Sequence, residues 1–125
     1  MKKLLALLMG VSLILAMTAC GSKTDKSADA ANEAPPANAQ QVTLKATNFQ
    51  YDQAEYHVKK GEPVTITLDN EQGVHGAAIK DFNVNLDNSK KTMTFTPDKA
   101  GSFPIVCSVM CGSGHANMKA TLVVE

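Results

Sequence analysis

The stretch that most constrains this chain lies near its end: Cys107-Ser108-Val109-Met110-Cys111-Gly112-Ser113-Gly114-His115-Ala116-Asn117-Met118. Two thiols, an imidazole and a thioether follow one another at offsets of four, four and three residues, so one loop can turn four soft donors toward a common point. Thiolate and thioether donors select copper or zinc, whereas calcium or magnesium needs a cluster of oxygens. Three readings of the pattern stand side by side. Cys107 and Cys111 can pair as a disulfide, which needs neither His115 nor Met118. Two Cys and two His can close a tetrahedral zinc site, which leaves Met118 unused. Copper uses all four side chains, because a thioether is a copper preference.

The chain opens differently. Lys2 and Lys3 precede an apolar run that ends at Met17-Thr18-Ala19-Cys20, so residues 1–19 read as a signal segment outside the fold. The run is interrupted by Gly10 and Ser12 and is short for a membrane span. It resembles a bacterial lipoprotein signal, which implies that Cys20 is lipidated and becomes the mature N-terminus. With one of the three cysteines acylated, an even pair remains for the loop. Stable anchoring takes more than one acyl chain, and the expected address is the extracytoplasmic face of a bacterial membrane.

Residues 21–40 are mostly Ala, Asn, Ser, Asp, Lys and Pro without apolar periodicity and read as a disordered tether. A flexible coil of about twenty residues spans roughly 25 Å r.m.s.. With Lys2 and Lys3 removed, the mature chain carries about −2 net charge. It contains no Arg, hence no guanidinium fork for phosphate, and nucleic acid is excluded as the expected partner. No nucleophile–base pair or phosphate-cradling glycine loop occurs, so catalysis by the chain alone is not expected.

Residues 41–125 make one small domain of strands. Val42-Thr43-Leu44-Lys45-Ala46 alternates and Glu55-Tyr56-His57-Val58-Lys59 forms a second strand. After a turn at Lys60-Gly61-Glu62, Val64, Ile66 and Leu68 share one face while Thr65 and Thr67 take the other, as in a half-buried antiparallel strand. Asp69-Asn70-Glu71-Gln72-Gly73 reads as a loop. Thr92-Met93-Thr94-Phe95-Thr96 alternates up to a Pro97 and Gly101 turn, and residues 102–107 and 118–124 supply the last strands. About seven short strands separated by turns indicate a β-sandwich. The two-residue period places Phe103, Ile105 and Cys107 on one face, and Met118, Ala120, Leu122 and Val124 on one face. It also groups His75 with Ala77 and Ile79, which leans that imidazole inward. His57 sits among charged neighbours and reads as surface. Gly112-Ser113-Gly114 reads as slack that lets His115 turn back toward the other donors.

An isolated His after a polar loop, a Pro-x-x-x-Gly turn before an apolar strand, and a Cys-to-Met loop before the final strand together resemble the cupredoxins. The loop itself resembles the binuclear CuA domain of haem-copper oxidase subunit II, also found in nitrous oxide reductase. The resemblance implies an all-β, Greek-key sandwich or barrel of about seven or eight strands. It also implies two copper ions bridged by the thiolates of Cys107 and Cys111. His75 and Met118 would complete one copper, and His115 with the backbone carbonyl of Val109 the other. Cys111, His115, Met118 and His75 already suffice for a mononuclear blue-copper site, so the second thiol, Cys107, is what favours two metals. The expected function is single-electron transfer in or near a respiratory chain, with a cytochrome or haem-copper oxidase as redox partner. The alternatives are copper storage or delivery between a copper donor and acceptor, and a mononuclear blue-copper carrier. Val109 stands where subunit II usually has Glu and the chain has no Trp, departures that point to a free-standing lipoprotein rather than an ordinary oxidase subunit.

Overall fold

The fold was read from a computed structural model that describes residues 34–125. The signal segment, Cys20 and most of the tether lie outside the described residues. Within them, apolar residues at every second position build nine strands: β1 Gln40–Thr47, β2 Gln50–Tyr51, β3 Glu55–Val58, β4 Val64–Asn70, β5 Ala77–Ile79, β6 Val84–Leu86, β7 Thr92–Phe95, β8 Gly101–Val106 and β9 Lys119–Val124. Short 3-10 turns at Lys80–Phe82 and His115–Asn117 are the helical elements among the described residues.

The strands form two sheets, ordered β2-β1-β4-β7 and β3-β9-β8-β5-β6. A sheet with one apolar face must cover it against another layer, and here the two inner faces cover each other. Val42, Leu44, Ala46, Val64, Ile66 and Leu68 line one inner face; Ile79, Leu86, Ile105 and Leu122 stand among those on the other, all buried.

The structure amends the strand reading in three places. β4 is not purely antiparallel: it runs parallel to β1, with Val42 opposite Ile66, and antiparallel to β7. Its outer face is also less exposed than a half-buried strand predicts, since Thr65 is buried and its hydroxyl meets that of Thr94 at 2.9 Å. A central strand has neighbours on both sides, so short hydroxyl side chains there cover one another. β4 also runs on through Asp69 and Asn70, which the sequence reading had put in a loop. Finally, β1 begins at Gln40, two residues before the alternating run from Val42 to Ala46. The Gln40 amide donates to the Pro63 carbonyl at 2.8 Å, and its side-chain oxygen accepts from the Lys59 amide at 2.8 Å.

The same topology sets up one end of the sandwich. β8 delivers Cys107 there, β9 starts just after Met118, β4 and β5 flank the turn that carries His75, and the β1–β2 connection crosses at Phe49.

Candidate metal centre

Cys107 continues the core-facing row of β8 and is buried. Its amide donates to the Met118 carbonyl at 3.2 Å, which closes the twelve-residue loop at its base. Within the loop, the His115 amide donates to Gly112 and the Met118 amide to His115. That single 3-10 turn brings the His115 side chain back over the loop. The Cys111 sulfur lies 3.7 Å from His115 Nδ1 and 3.7 Å from the Cys107 sulfur, and the Cys107 thiol donates to the Val109 carbonyl at 3.1 Å. Both thiols are free; a sulfur–sulfur bond would measure about 2.0 Å. Met118 is buried directly behind the loop, at the head of β9.

His75 arrives on the crossover from β4 to β5, two residues before β5, which pairs with β8 in the same sheet. It is fully buried. Its Nε2 lies 2.8 Å from the Gln72 carbonyl, which can only accept, so Nε2 carries the proton. Nδ1 therefore presents a lone pair, and it has no hydrogen-bond partner although it is buried. An unpaired buried acceptor costs about 1–3 kcal/mol. The ligand atoms of His75, Cys107 and Cys111 all lie within 4.8 Å of one another. A free imidazole nitrogen aimed at two thiols is the donor chemistry that a soft metal ion satisfies, so the residues present fit such an ion.

Burial, followed by the hydrogen bond with Cys107, raises the Cys111 thiol above its ordinary value. Thiols must shed their protons to bind a metal, so binding here releases protons.

Several residues around the donors escaped the sequence reading. Phe49 adopts φ 70°, a left-handed conformation unusual for a bulky residue. Its ring meets His75 edge-on at 6.4 Å between centroids and lies against Gly112 and Gly114. A Cβ on Gly114 would overlap that ring, and one on Gly112 would sit 3.0 Å from it. Gly114 is therefore there to make room for Phe49, and the slack expected of Gly112-Ser113-Gly114 is confined to Gly112, whose φ is 135°. Tyr51, two residues on, donates its buried hydroxyl to the Gly76 carbonyl at 2.7 Å. Burial, then the nearby Cys107 thiol, pushes the Tyr51 phenol far above its usual range, so it stays a donor. Asn70 donates to the His75 carbonyl at 3.2 Å and to Asn88 at 2.9 Å. The one sequence hint of these supports was a pair of aromatics at alternate positions, Phe49 and Tyr51. Their partners lie far along the chain.

His57, read as surface, is exposed; its two nitrogens face Glu125 at 2.7 Å and Glu55 at 3.7 Å.

A two-sheet sandwich with an imidazole and two thiols converging at one end is the build of a soft-metal β-protein. The chain belongs to the cupredoxin-like domain family, whose profile matches residues 10–124, and it is homologous to the CuA domains of cytochrome c oxidase subunit II and to nitrous-oxide reductase. It is 36% identical over 97 residues to the nitrous-oxide reductase of Cupriavidus necator, covering 70% of this chain and 15% of that one. It is 28% identical over 87 residues to cytochrome c oxidase subunit 2 of Thermus thermophilus, covering 67% and 64%. The chain thus spans less than two thirds of the length of either relative. In three dimensions it superposes on the periplasmic domain of subunit II of cytochrome oxidase from Bradyrhizobium japonicum with a TM-score of 0.62 at 18% identity, covering 74% of this chain and 88% of that one.

Proposed function

We propose that this domain is an extracytoplasmic, membrane-anchored copper protein with a binuclear CuA-like centre that passes single electrons in or near a respiratory chain. The observation that carries the proposal is the gathering of two free thiols, 3.7 Å apart, and a ring nitrogen of buried His75 within 4.8 Å of one another, with His75 Nδ1 left unpaired. Cys107 and Cys111 would bridge the metals; His75 and Met118 would complete one copper, and His115 with the Val109 carbonyl the other. Bound there, the copper pair supplies a one-electron redox couple.

The chain's own residues suit that task. The Gln72 carbonyl fixes the His75 tautomer and ring direction, as an outer partner of a metal-binding histidine must. Buried Met118 and Ile105 exclude water from the inner side. Tyr51, through Gly76, fixes the backbone next to His75, and Phe49 braces the loop. Donors held this way move little when charge changes, which favours electron exchange over substrate chemistry. The lipid anchor at Cys20 rests on the sequence around it. The partners that follow are a cytochrome-like donor and a membrane-bound acceptor, which the tether lets the domain reach.

The test is rapid mixing of the copper-loaded, oxidised protein with reduced cytochrome c, following both chromophores. Fast electron exchange with copper retained supports the proposal. Negligible exchange, with copper lost readily to an acceptor protein, would mark a copper-delivery protein instead.

A further inference from the structure

Among the described residues, the two large apolar side chains left exposed are Val74, at 53%, and Met110, at 80%. Each adjoins a donor: Val74 precedes His75 and Met110 precedes Cys111. Scattered exposed apolar residues are ordinary on a protein surface. Met110 differs in chemistry, because a thioether is a soft donor suited to cuprous ion.

The surroundings show which side of the centre is open. Phe49 closes the side of Gly112 and Gly114. The hydrogen bond from Tyr51 to Gly76 closes the side of β5, and His75, Cys107 and Met118 are buried. Of the two thiols, Cys111 alone is partly exposed, and Met110 stands in solvent beside it. The donors thus grade from the exposed Met110 thioether, through the half-exposed Cys111 and His115, to the buried Cys107, His75 and Met118.

We propose that Met110 is a capture ligand for Cu(I): it binds the cuprous ion first, from an external soft-ligand carrier, and hands it through Cys111 to the buried donors. The proposal rests on the copper reading above. The step is ligand exchange without change of oxidation state. A carrier–copper bond breaks as the Met110 sulfur–copper bond forms; Cys111 then binds as its thiol proton leaves to solvent. Met110 lets go once His75 and Cys107, whose thiol proton also leaves to solvent, have bound, so it governs the rate of loading and not the finished centre.

The experiment presents Cu(I) to the full apo chain without oxygen, as its bicinchoninate complex, whose loss of colour reports transfer. Wild type is compared with Met110→Leu, which keeps the bulk and removes the sulfur, and with Val74→Ala, which alters apolar surface at the same end. We expect Met110→Leu to load about tenfold more slowly, equivalent to about 1.4 kcal/mol of barrier, and Val74→Ala to load at the wild-type rate. All three should finish with the same copper per chain and the same absorption spectrum after air oxidation. Equal rates for Met110→Leu and wild type would overturn the proposal while leaving the copper centre standing. So would equal slowing by Val74→Ala, which would mean apolar contact with the carrier. Less copper per chain in Met110→Leu would also overturn it, making Met110 a resident ligand. Failure of the wild type to take up any copper would sink the centre itself.

Discussion

The two nitrogens of His75 have opposite surroundings: one is tied to the Gln72 carbonyl and the other faces two thiols unpaired. That asymmetry gives the thiols distinct fates on substitution. Cys107 is the additional sulfur, so Cys107→Ser should leave a site holding a single copper with altered colour. Cys111 lies between Cys107 and His115, 3.7 Å from each, so Cys111→Ser should remove most copper binding. Metal analysis of the two variants checks this, and a Cys107→Ser protein that still holds a pair of coppers would refute the bridging assignment. The meeting of Cys111 with Cys107 and His115 was legible in the sequence, because spacing within one loop survives folding. Phe49 was not, because the reason for its place is a ring packed against glycines more than sixty residues away. Gly114→Ala should therefore destabilise the apo protein by about 1–3 kcal/mol, the usual cost of overpacking, read from denaturant midpoints. Gly61→Ala is a useful contrast, since open space surrounds its Cβ and any cost there comes from its φ of 77°.

Among the elements, the alternating strands β1, β3, β4, β7, β8 and β9 could be read directly, since the two-residue period is local. β2 and β6 could not: two and three residues hold too little pattern to separate from a loop. Nor does a strand carry its partner's identity, which is why the parallel pairings of β1 with β4 and β3 with β9 appear only in the fold. Asp52 ties several of these elements together. Its Oδ1 accepts from the Tyr56 hydroxyl at 2.6 Å and from the Lys45 amide at 3.0 Å, joining the segment after β2 to β3 and β1. Burial alone would raise the Asp52 carboxyl, but the bonds from Tyr56 and Lys45 outweigh it and hold it below 3.8. A carboxyl depressed in the folded state contributes stability above its unfolded value and loses it as pH falls through the folded one. The apo domain should thus lose this contribution in the acid range below about pH 4. Asp52→Asn should flatten that part of the stability–pH curve measured by denaturation, and an unchanged curve would count against the role given to Asp52.

For the whole molecule, the pairing of β5 with β8 sets the β4–β5 turn beside the β8–β9 loop at one end, so metal binding ties two connections that lie far apart in the chain. A ligand that binds only the folded state stabilises it by an amount set by its affinity and concentration, about 2.7 kcal/mol at a hundredfold excess over Kd. The loaded domain should therefore melt above the apo domain, by calorimetry, and stripping copper with a chelator should return it to the lower value. Equal melting temperatures would mean that the metal does not tie the two connections together in the folded state. The sandwich class was legible from the number and spacing of strands. The closeness of His75 to the loop was expected only through the family resemblance, since the two-residue period sets a face and not the pairing of β5 with β8 that brings them together.

The most direct test of the central claim is copper analysis combined with EPR on protein loaded under reducing conditions and then partly oxidised. The account predicts two coppers per chain, a purple colour and a multi-line spectrum from one unpaired electron shared over both metals. A single copper per chain with a blue colour and the spectrum of an isolated cupric ion would contradict it.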